Sequence, residues 1–376
     1  MLQLVLFTLC GLISISAGGH VTVKGNDLVH NGQKVFLSGA NTAWVAYGYD
    51  FGNHQYQYRR TRYLELMDKV KNAGGNSMRT WVHIEGATSP EFDGSGHVTA
   101  LDKDGSFISD FQQYLDDAQQ RNILIFPTLW NGALKQNHAH FQGLVEDTSK
   151  LQSYLDKALI PWVKAVKDHP ALGGWDIINE MEGIIIPGTQ DSEPCFDTTF
   201  LANSGAGWAG KTHTAKQLLR FVNWQVDAIR RTDPTALVTA GSWSQKSQSD
   251  QWGDRNIYSD TCLTKAGGKA QGTLTFYSTH CYDWQRKFSD DAPFLHSAAD
   301  YKLDKPLVVA EFNSARGAGM TIEAEFTYLY THGYSGAWSW HANADGGDTD
   351  PTDVQMRGIA ALKGKHGAGG QVALSL

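Results

Sequence analysis

Two short apolar segments of the chain each have a glutamate at or near their carboxyl end. Residues 175–180 (WDIINE) end in the pair Asn179 and Glu180, and residues 306–312 (PLVVAEF) carry a single carboxylate, Glu311. Each run has the length and composition of a buried β-strand, so each carboxylate would stand at a strand end. One such glutamate is as often a cap or an ion-pair partner as a chemical group. Two of them favour acid-base or nucleophilic chemistry.

Polar and aromatic side chains stand at the carboxyl ends of the other strand-like segments. They are Asn41, Trp44, Arg79, Trp81, Trp130, Asn131, Trp243, His280, Tyr282, Trp284, Asn313, Trp340 and His341. Two carboxylates in a polar, aromatic cleft suit glycosidic bond cleavage, which needs one protonated acid and one charged carboxylate. We therefore interpret Trp44, Trp81, Trp130, Trp243, Trp284 and Trp340 as cleft residues that contact sugar rings. Of the other tryptophans, Trp162 and Trp224 lie in helical patterns and are predicted to be core residues, and Trp175 and Trp338 are predicted to pack inside a barrel.

Strand and helix patterns alternate along the chain. Eight apolar strands are predicted to begin near Val35, Asn76, Ile123, Leu172, Leu237, Thr273, Leu307 and Gly336. The clearest helical periodicities cover Arg59 to Ala73, Phe107 to Arg121, Leu151 to Asp168, Ala215 to Arg231 and Ile322 to His332. Eight such units predict an α/β fold, a single (β/α)8 TIM barrel. An open doubly wound sheet is the alternative, but no G-x-G-x-x-G turn follows the first strand.

An Asn31-Gly32 turn predicts an N-terminal β-hairpin that plugs one end of the barrel. No linker separates a second module, so residues 19–376 are predicted to form one catalytic domain. The longest insertions, residues 86–106, 183–210 and 243–272, follow the second, fourth and fifth strands. They therefore belong to the carboxyl-end face, where barrel enzymes build their sites.

The first 18 residues resemble a secretory signal peptide, since the apolar run at 2–15 is too short for a membrane span and small residues follow it. We expect a secreted, extracellular protein without a membrane partner. The net charge is −7 and the chain has no block of Lys or Arg, which argues against nucleic-acid binding. A neutral partner and a monomeric state are expected.

Removal of the signal peptide leaves three cysteines, Cys195, Cys262 and Cys281. In an oxidising compartment this predicts one disulfide and one free thiol. Cys195 and Cys262 lie in loop-like sequence, whereas Cys281 lies in a strand pattern, so the predicted pair is Cys195 with Cys262. No C-x-x-C spacing is present, and we expect neither a metal nor a cofactor.

These residues resemble the retaining (β/α)8 hydrolases of glycoside hydrolase family five, within clan A. Members of that family end strand four in Asn-Glu and strand seven in Glu, as residues 179–180 and 311 do here. The match also includes Arg79, the His280-x-Tyr282 pair and Trp340. The first strand (SGAN) and the last strand (AWSWH) are similar to those of endo-β-1,4-mannanases of invertebrate animals.

The resemblance implies Glu180 as general acid/base and Glu311 as nucleophile, with carboxyl groups about 5–5.5 Å apart. It implies that Asn179 hydrogen-bonds the sugar 2-OH and that Arg79 and Tyr282 orient Glu311 and keep it ionised. It also implies that His280 hydrogen-bonds near the acid/base and that Trp340 forms the floor of the −1 subsite. The expected substrate is β-mannan, glucomannan or galactomannan. The alternatives are an endo-β-1,4-glucanase of the same family and a non-catalytic carbohydrate-binding barrel. Strand three ends in TLWN instead of the Asp-Trp-His common in cellulases.

Overall fold

The computed structural model describes residues 20–85, 87–134, 138–344 and 349–376. Within them, eight parallel strands close into a barrel. In chain order the barrel strands are Leu37–Asn41, Ser77–Trp81, Leu124–Asn131, Trp175–Asn179, Val238–Ser242, Tyr277–His280, Leu307–Glu311 and Gly336–Ser339. They are called the first to eighth strands below. The predicted TIM barrel is confirmed.

Helices connect most of the strands on the outside of the barrel. The α-helices are Tyr56–Ala73, Phe107–Gln119, Ala139–Glu146, Thr148–Tyr154, Ile160–Val166, Ala215–Thr232, Asp260–Gly267, Ile322–Thr331 and Thr352–Ala360. The five predicted helices are confirmed, although the third is divided by a π-helical segment, Leu155–Leu159. The wider turn of this π-helical segment interrupts the α-helical hydrogen bonding that the hydrophobic periodicity predicted for the whole segment. No helix among the described residues is long and apolar enough to cross a membrane.

The N-terminal hairpin closes the amino-end face of the barrel, as predicted. Its strands Thr22–Lys24, Asp27–His30 and Gln33–Lys34 form a separate antiparallel sheet. Asn31 and Gly32 have φ angles of 51° and 78°, the left-handed pair of a tight hairpin turn. Leu28 of the hairpin is fully buried with Leu37 and Trp338 in the core that fills this end. Among the described residues, the hairpin therefore covers the amino end of the barrel and leaves the carboxyl-end face uncovered.

The buried tryptophans divide between the two sides of the barrel wall. Trp338 lies inside the barrel, as predicted, where its ring packs 4.7 Å from that of Phe126. The prediction for Trp175 is wrong. Its ring faces outward and contacts the predicted core residue Trp162 at 4.9 Å. Because neighbouring residues of a strand face opposite sides, Asp176 points into the barrel. Trp224 is only partly buried and donates from Nε1 to the Gly267 carbonyl.

The predicted disulfide joins the loop after the fourth strand to the helix Asp260–Gly267, so the pairing is confirmed but the predicted loop position of Cys262 is wrong. Cys195 and Cys262 are bonded, with their Cα atoms 5.1 Å apart, and Cys281 is a buried free cysteine directly after the sixth strand. Two short antiparallel pairs, Glu91–Phe92 with Val98–Ala100 and His366–Gly367 with Gly370–Gln371, complete the strands. The predicted signal peptide, residues 1–18, lies outside the described residues.

Candidate active site

Glu180 and Glu311 meet over the carboxyl ends of the strands. Glu311 is the last residue of the seventh strand, and Glu180 follows the fourth. His280 Nδ1 lies 2.7 Å from Glu180 Oε1 and 3.4 Å from Glu311 Oε2. One oxygen of each carboxylate and one ring nitrogen of His280 all lie within 4.8 Å of one another. Both carboxylates can therefore reach the same bond of a ligand.

The backbone at Glu180 adopts a conformation that a residue with a side chain rarely takes. Its φ and ψ angles are 49° and 57°, in the left-handed region. Such strain persists only where the surroundings impose it, and it is common at functional sites. Here the Glu180 N–H donates to the Gly241 carbonyl at 2.7 Å, and the Gly183 N–H donates back to the Glu180 carbonyl at 2.9 Å. These bonds hold the carboxylate toward the centre of the barrel.

The turn that follows is anchored by Glu182, whose side chain is fully buried. Its carboxylate accepts hydrogen bonds from Ser242 Oγ at 3.0 Å, the Trp243 N–H at 3.1 Å and the Tyr258 hydroxyl at 2.8 Å. The end of the fifth strand and the loop after it therefore hold the turn that carries Glu180.

Arg79 links Glu311 to the floor of the site. Its Nη1 donates to Glu311 Oε1 at 2.7 Å and to Asn41 Oδ1 at 2.9 Å, and its Nη2 donates to Asn179 Oδ1 at 2.9 Å. The hydroxyl of Tyr282 donates to the other oxygen of Glu311 at 3.1 Å. Arg79 is fully buried, so these bonds form without competition from water. The arrangement agrees with the predicted positions of Arg79 and Tyr282 beside Glu311.

Asn179 is held by its neighbours on both sides. Its Nδ2 donates to Asn131 Oδ1 at 3.0 Å, while its Oδ1 accepts from Arg79. Asn131 in turn donates to the Tyr47 hydroxyl at 3.1 Å. This chain of bonds fixes the amide of Asn179 beside Glu180.

The ionisable groups differ in their surroundings. Burial raises the pKa of Glu180 to about 7, against an opposing effect of the Arg79 charge. Burial also raises the pKa of Glu311, but His280 and Arg79 act in the opposite direction, and Arg79 bonds the carboxylate directly. Burial lowers the pKa of His280 to about 4, so its ring is neutral at pH 7. Glu180 is thus suited to carry a proton and Glu311 to remain charged.

Two aromatic groups flank the carboxylates. Trp44, Trp81 and Trp340 form one group, with ring centroids 5.2–5.8 Å apart. On the other side, Trp243 packs 5.4 Å from Trp208. A cavity of about 160 Å³ continues from His280 and Tyr282 to Trp243 and Trp284, and Trp284 is 74% exposed. Flat apolar surfaces therefore stand on both sides of the two carboxylates.

Comparison with known proteins identifies the family. The chain is 50% identical to the mannan endo-1,4-beta-mannosidase of Mytilus edulis over 371 aligned residues. The alignment covers 96% of this chain and 98% of that protein. The chain belongs to the mannan endo-1,4-beta-mannosidases. The X-ray structure of the beta-mannanase from Mytilus edulis superposes with a TM-score of 0.91, covering 95% of this chain and 99% of that one.

A second relative agrees. The mannan endo-1,4-beta-mannosidase of Cryptopygus antarcticus is 44% identical over 358 residues, which cover 94% of this chain and 93% of that protein. The crystal structure of the beta-1,4-D-mannanase from the same species superposes with a TM-score of 0.92 over 95% of this chain and 98% of that one. A scan against models of protein families gave no match. The predicted family and its glycoside hydrolase chemistry are confirmed.

Trp130 does not lie in the cleft of this mannanase, contrary to the prediction. Its side chain is 3% exposed and packs between the barrel wall and the helices, against Phe141 and Tyr154 at ring distances of 5.3 and 5.1 Å. Its Nε1 donates to Gln225 Oε1 at 3.0 Å. Proximity to a strand end suggested the cleft, but the side chain points outward, so Trp130 is a core residue.

Three residues of the site were missed by the sequence analysis. Asp176 lies beneath Arg79, Glu182 holds the turn after Glu180, and Trp208 packs on Trp243. The sequence held one available signal for Asp176, since an aspartate within an otherwise apolar buried strand requires a partner. Trp208 lies in the predicted insertion at 183–210, which placed it on the correct face.

Proposed function

We propose that this mannanase is secreted as a monomer and cleaves internal β-1,4 bonds of mannan, glucomannan and galactomannan with retention of configuration. The observation that carries the proposal is the closeness of the carboxylates, with one oxygen of Glu180 within 4.8 Å of one oxygen of Glu311. Retaining enzymes hold their carboxyl groups about 5–5.5 Å apart, whereas inverting enzymes keep about 6.5–9.5 Å to admit a water. The short separation supports direct attack by a carboxylate.

In the first step, Glu180 transfers its proton to the glycosidic oxygen as the bond from that oxygen to C1 breaks. A carboxylate oxygen of Glu311 forms a bond to C1, and the shortened chain leaves as an alcohol. Arg79 and Tyr282 keep Glu311 ionised and directed at C1 through their hydrogen bonds. The product of this step is a covalent glycosyl-enzyme ester.

In the second step, Glu180 is a carboxylate and accepts a proton from water. The water oxygen forms a bond to C1 as the ester bond to Glu311 breaks, which restores both side chains. A neutral His280 serves both steps, because Nδ1 lies within hydrogen-bonding distance of Glu180 without adding a fixed positive charge. Two inversions at C1 return the original anomeric configuration.

Internal cleavage requires sugar binding on both sides of the carboxylates. The Trp44, Trp81 and Trp340 group on one side and the Trp208 and Trp243 pair on the other support such a cleft. The relatives are named for action on mannan. The disulfide Cys195–Cys262 supports residence in an oxidising compartment and hence secretion.

The anomer released first from a β-1,4-mannohexaose tests retention. Proton NMR during the first turnovers should show the β-anomer, followed by mutarotation. An initial α-anomer would contradict the double displacement. Cellohexaose at the same concentration serves as the comparison for specificity, and faster cleavage of cellohexaose would contradict the proposed substrate.

Azide distinguishes the roles of the two glutamates. With Glu180→Ala and an aryl mannoside, azide should restore turnover and give the β-mannosyl azide, because the covalent intermediate still forms. With Glu311→Ala, azide attacks the opposite face and should give the α-mannosyl azide. The reverse pairing of products would exchange the assignments of Glu180 and Glu311.

A further inference from the structure

The buried carboxylate of Asp176 is not reached by substrate, yet it belongs to the charge network of the site. Its side chain is fully buried inside the barrel. Oδ2 accepts from Arg79 Nε at 2.8 Å and from Thr128 Oγ1 at 3.0 Å, and Oδ1 accepts from the Gly241 N–H at 2.9 Å. Three donors, each from a different strand, therefore hold the Asp176 carboxylate in place.

Arg79 therefore stands between two carboxylates. Its Nε faces Asp176 and its Nη1 faces Glu311, so a single guanidinium is shared between both acids. The planar fork of arginine makes the two contacts interdependent, since the bond at Nε fixes the plane in which Nη1 lies. Gly241 leaves room for this plane, because a Cβ there would lie 2.9 Å from Nη2 of Arg79.

We infer that Asp176 is a positioning residue that orients Arg79 and offsets its positive charge, and so sets the proton affinities of both Glu311 and Glu180. The inference rests on the proposed double displacement, in which Glu311 must be ionised and Glu180 protonated. Without Asp176, the full charge of Arg79 would act on both glutamates. The dry interior of the barrel makes this interaction strong.

The sign of the effect follows from the charges that surround the two glutamates. The charged groups are Arg79 from the second strand and Asp176 from the fourth. The neutral side chains of His280, at the end of the sixth strand, and of Tyr282, just after it, also face the glutamates, and Glu182 and Tyr258 lie behind the turn after Glu180. The Arg79 charge lowers the pKa of both Glu180 and Glu311. Loss of the opposing negative charge should lower both pKa values further.

The test is the pH dependence of kcat/KM for Asp176→Asn. Its acid limb reports ionisation of Glu311 and its alkaline limb reports deprotonation of Glu180. Both limbs should move to lower pH by about 1 unit, the size expected for one nearby charge. Asp176→Glu retains the charge and should keep both limbs within a few tenths of a unit of the wild-type enzyme, with a lower kcat.

Two further variants separate charge from structure. Thr128→Val removes one donor to the Asp176 carboxylate without a change of charge. Both limbs of its pH profile of kcat/KM should stay at the wild-type positions. Asp176→Ser removes the charge from a smaller side chain and leaves space for water at Arg79, so it replaces Asp176→Asn if that variant does not fold. Near-UV circular dichroism verifies the fold of each protein.

The inference is overturned if a folded variant without the charge keeps both limbs at wild-type positions, or if Asp176→Glu moves them as far as Asp176→Asn. Either result leaves an active enzyme and the proposed function intact. Failure of the proposed function would differ, since the wild-type protein would then release the α-anomer or leave mannohexaose uncut.

Discussion

Nδ1 of His280 lies 2.7 Å from Oε1 of Glu180, and the same nitrogen lies 3.4 Å from an oxygen of Glu311. One neutral ring thus stands between the two carboxylates. Because burial keeps its pKa near 4, the ring can bond a carboxyl group without fixing a charge beside it. In the proposed double displacement, this contact leaves Glu180 free to exchange its proton in both steps.

The alkaline limb of kcat/KM should reflect the raised pKa of Glu180. In the proposed mechanism this carboxyl must hold a proton to release the leaving group, and burial raises its pKa to about 7. Activity on mannan should therefore fall as pH rises through about 7. Glu180→Gln on an aryl mannoside with a leaving group that needs no proton should lack this limb. If the alkaline limb persists in Glu180→Gln, a group other than Glu180 causes it.

A second buried carboxyl, Glu325, should make stability depend on pH. Its side chain is fully buried, and neither oxygen has a hydrogen-bond partner among the described residues. Burial, with the charges of Asp350 and Asp283, raises its pKa to about 9. The unfolded chain loses this proton near pH 4, so between pH 4 and 9 the folded state binds one more proton. Stability should fall by about 1.4 kcal/mol per pH unit in that window.

Glu325→Gln should remove this slope. The free energy of unfolding of the variant, relative to the wild type, should increase from pH 5 to pH 8 in urea titrations. Glu323→Gln on the same helix is the matched control, because that partly exposed side chain pairs with Arg357 at the surface. A constant difference between Glu325→Gln and wild type across this range would show that Glu325 ionises normally.

The disulfide should contribute to stability by restricting the unfolded chain. It closes a segment with a sequence separation of 67 between Cys195 and Cys262. Replacement of both cysteines by serine should lower the free energy of unfolding by about 2–5 kcal/mol. Urea unfolding measures the change, with Cys281→Ala as the control that keeps the disulfide. Equal stability of the double variant and wild type would contradict the prediction.

Trp340 and Trp130 should respond differently to truncation. Trp340 stands in the aromatic group beside the carboxylates, and Trp340→Ala should lower kcat/KM on mannan about 10-fold to 100-fold through loss of a sugar contact. Trp130→Ala should instead destabilise the fold by about 3–5 kcal/mol, as expected for a buried aromatic ring. The milder Trp130→Phe should retain most of its kcat/KM. If kcat/KM falls as far in Trp130→Phe as in Trp340→Ala, Trp130 contacts the substrate and the assignment as a core residue is wrong.

The sequence by itself determined the architecture and the identity of the two central carboxylates. Alternation of eight apolar strands with helices predicts the barrel, and parallel strands place all their carboxyl ends on one face. Glu180 and Glu311 therefore had to stand on the same rim once their strands were recognised. The cysteine pair was predicted from the number of cysteines and from the strand position of Cys281, although Cys262 lies in a helix and not in a loop.

Only the tertiary structure decided which way the strand residues face. A strand of a parallel barrel is buried on both sides, so its hydrophobic pattern does not distinguish interior from exterior. Trp175 faces outward to the helices and Asp176 faces inward beneath Arg79, whereas Trp130 faces outward although Thr128, two residues before it, bonds Asp176 inside the barrel. The local sequence shows that neighbouring strand residues such as Trp175 and Asp176 face opposite sides. Closure of the barrel decides which of them faces the interior, and it places the carboxylate of Asp176 there.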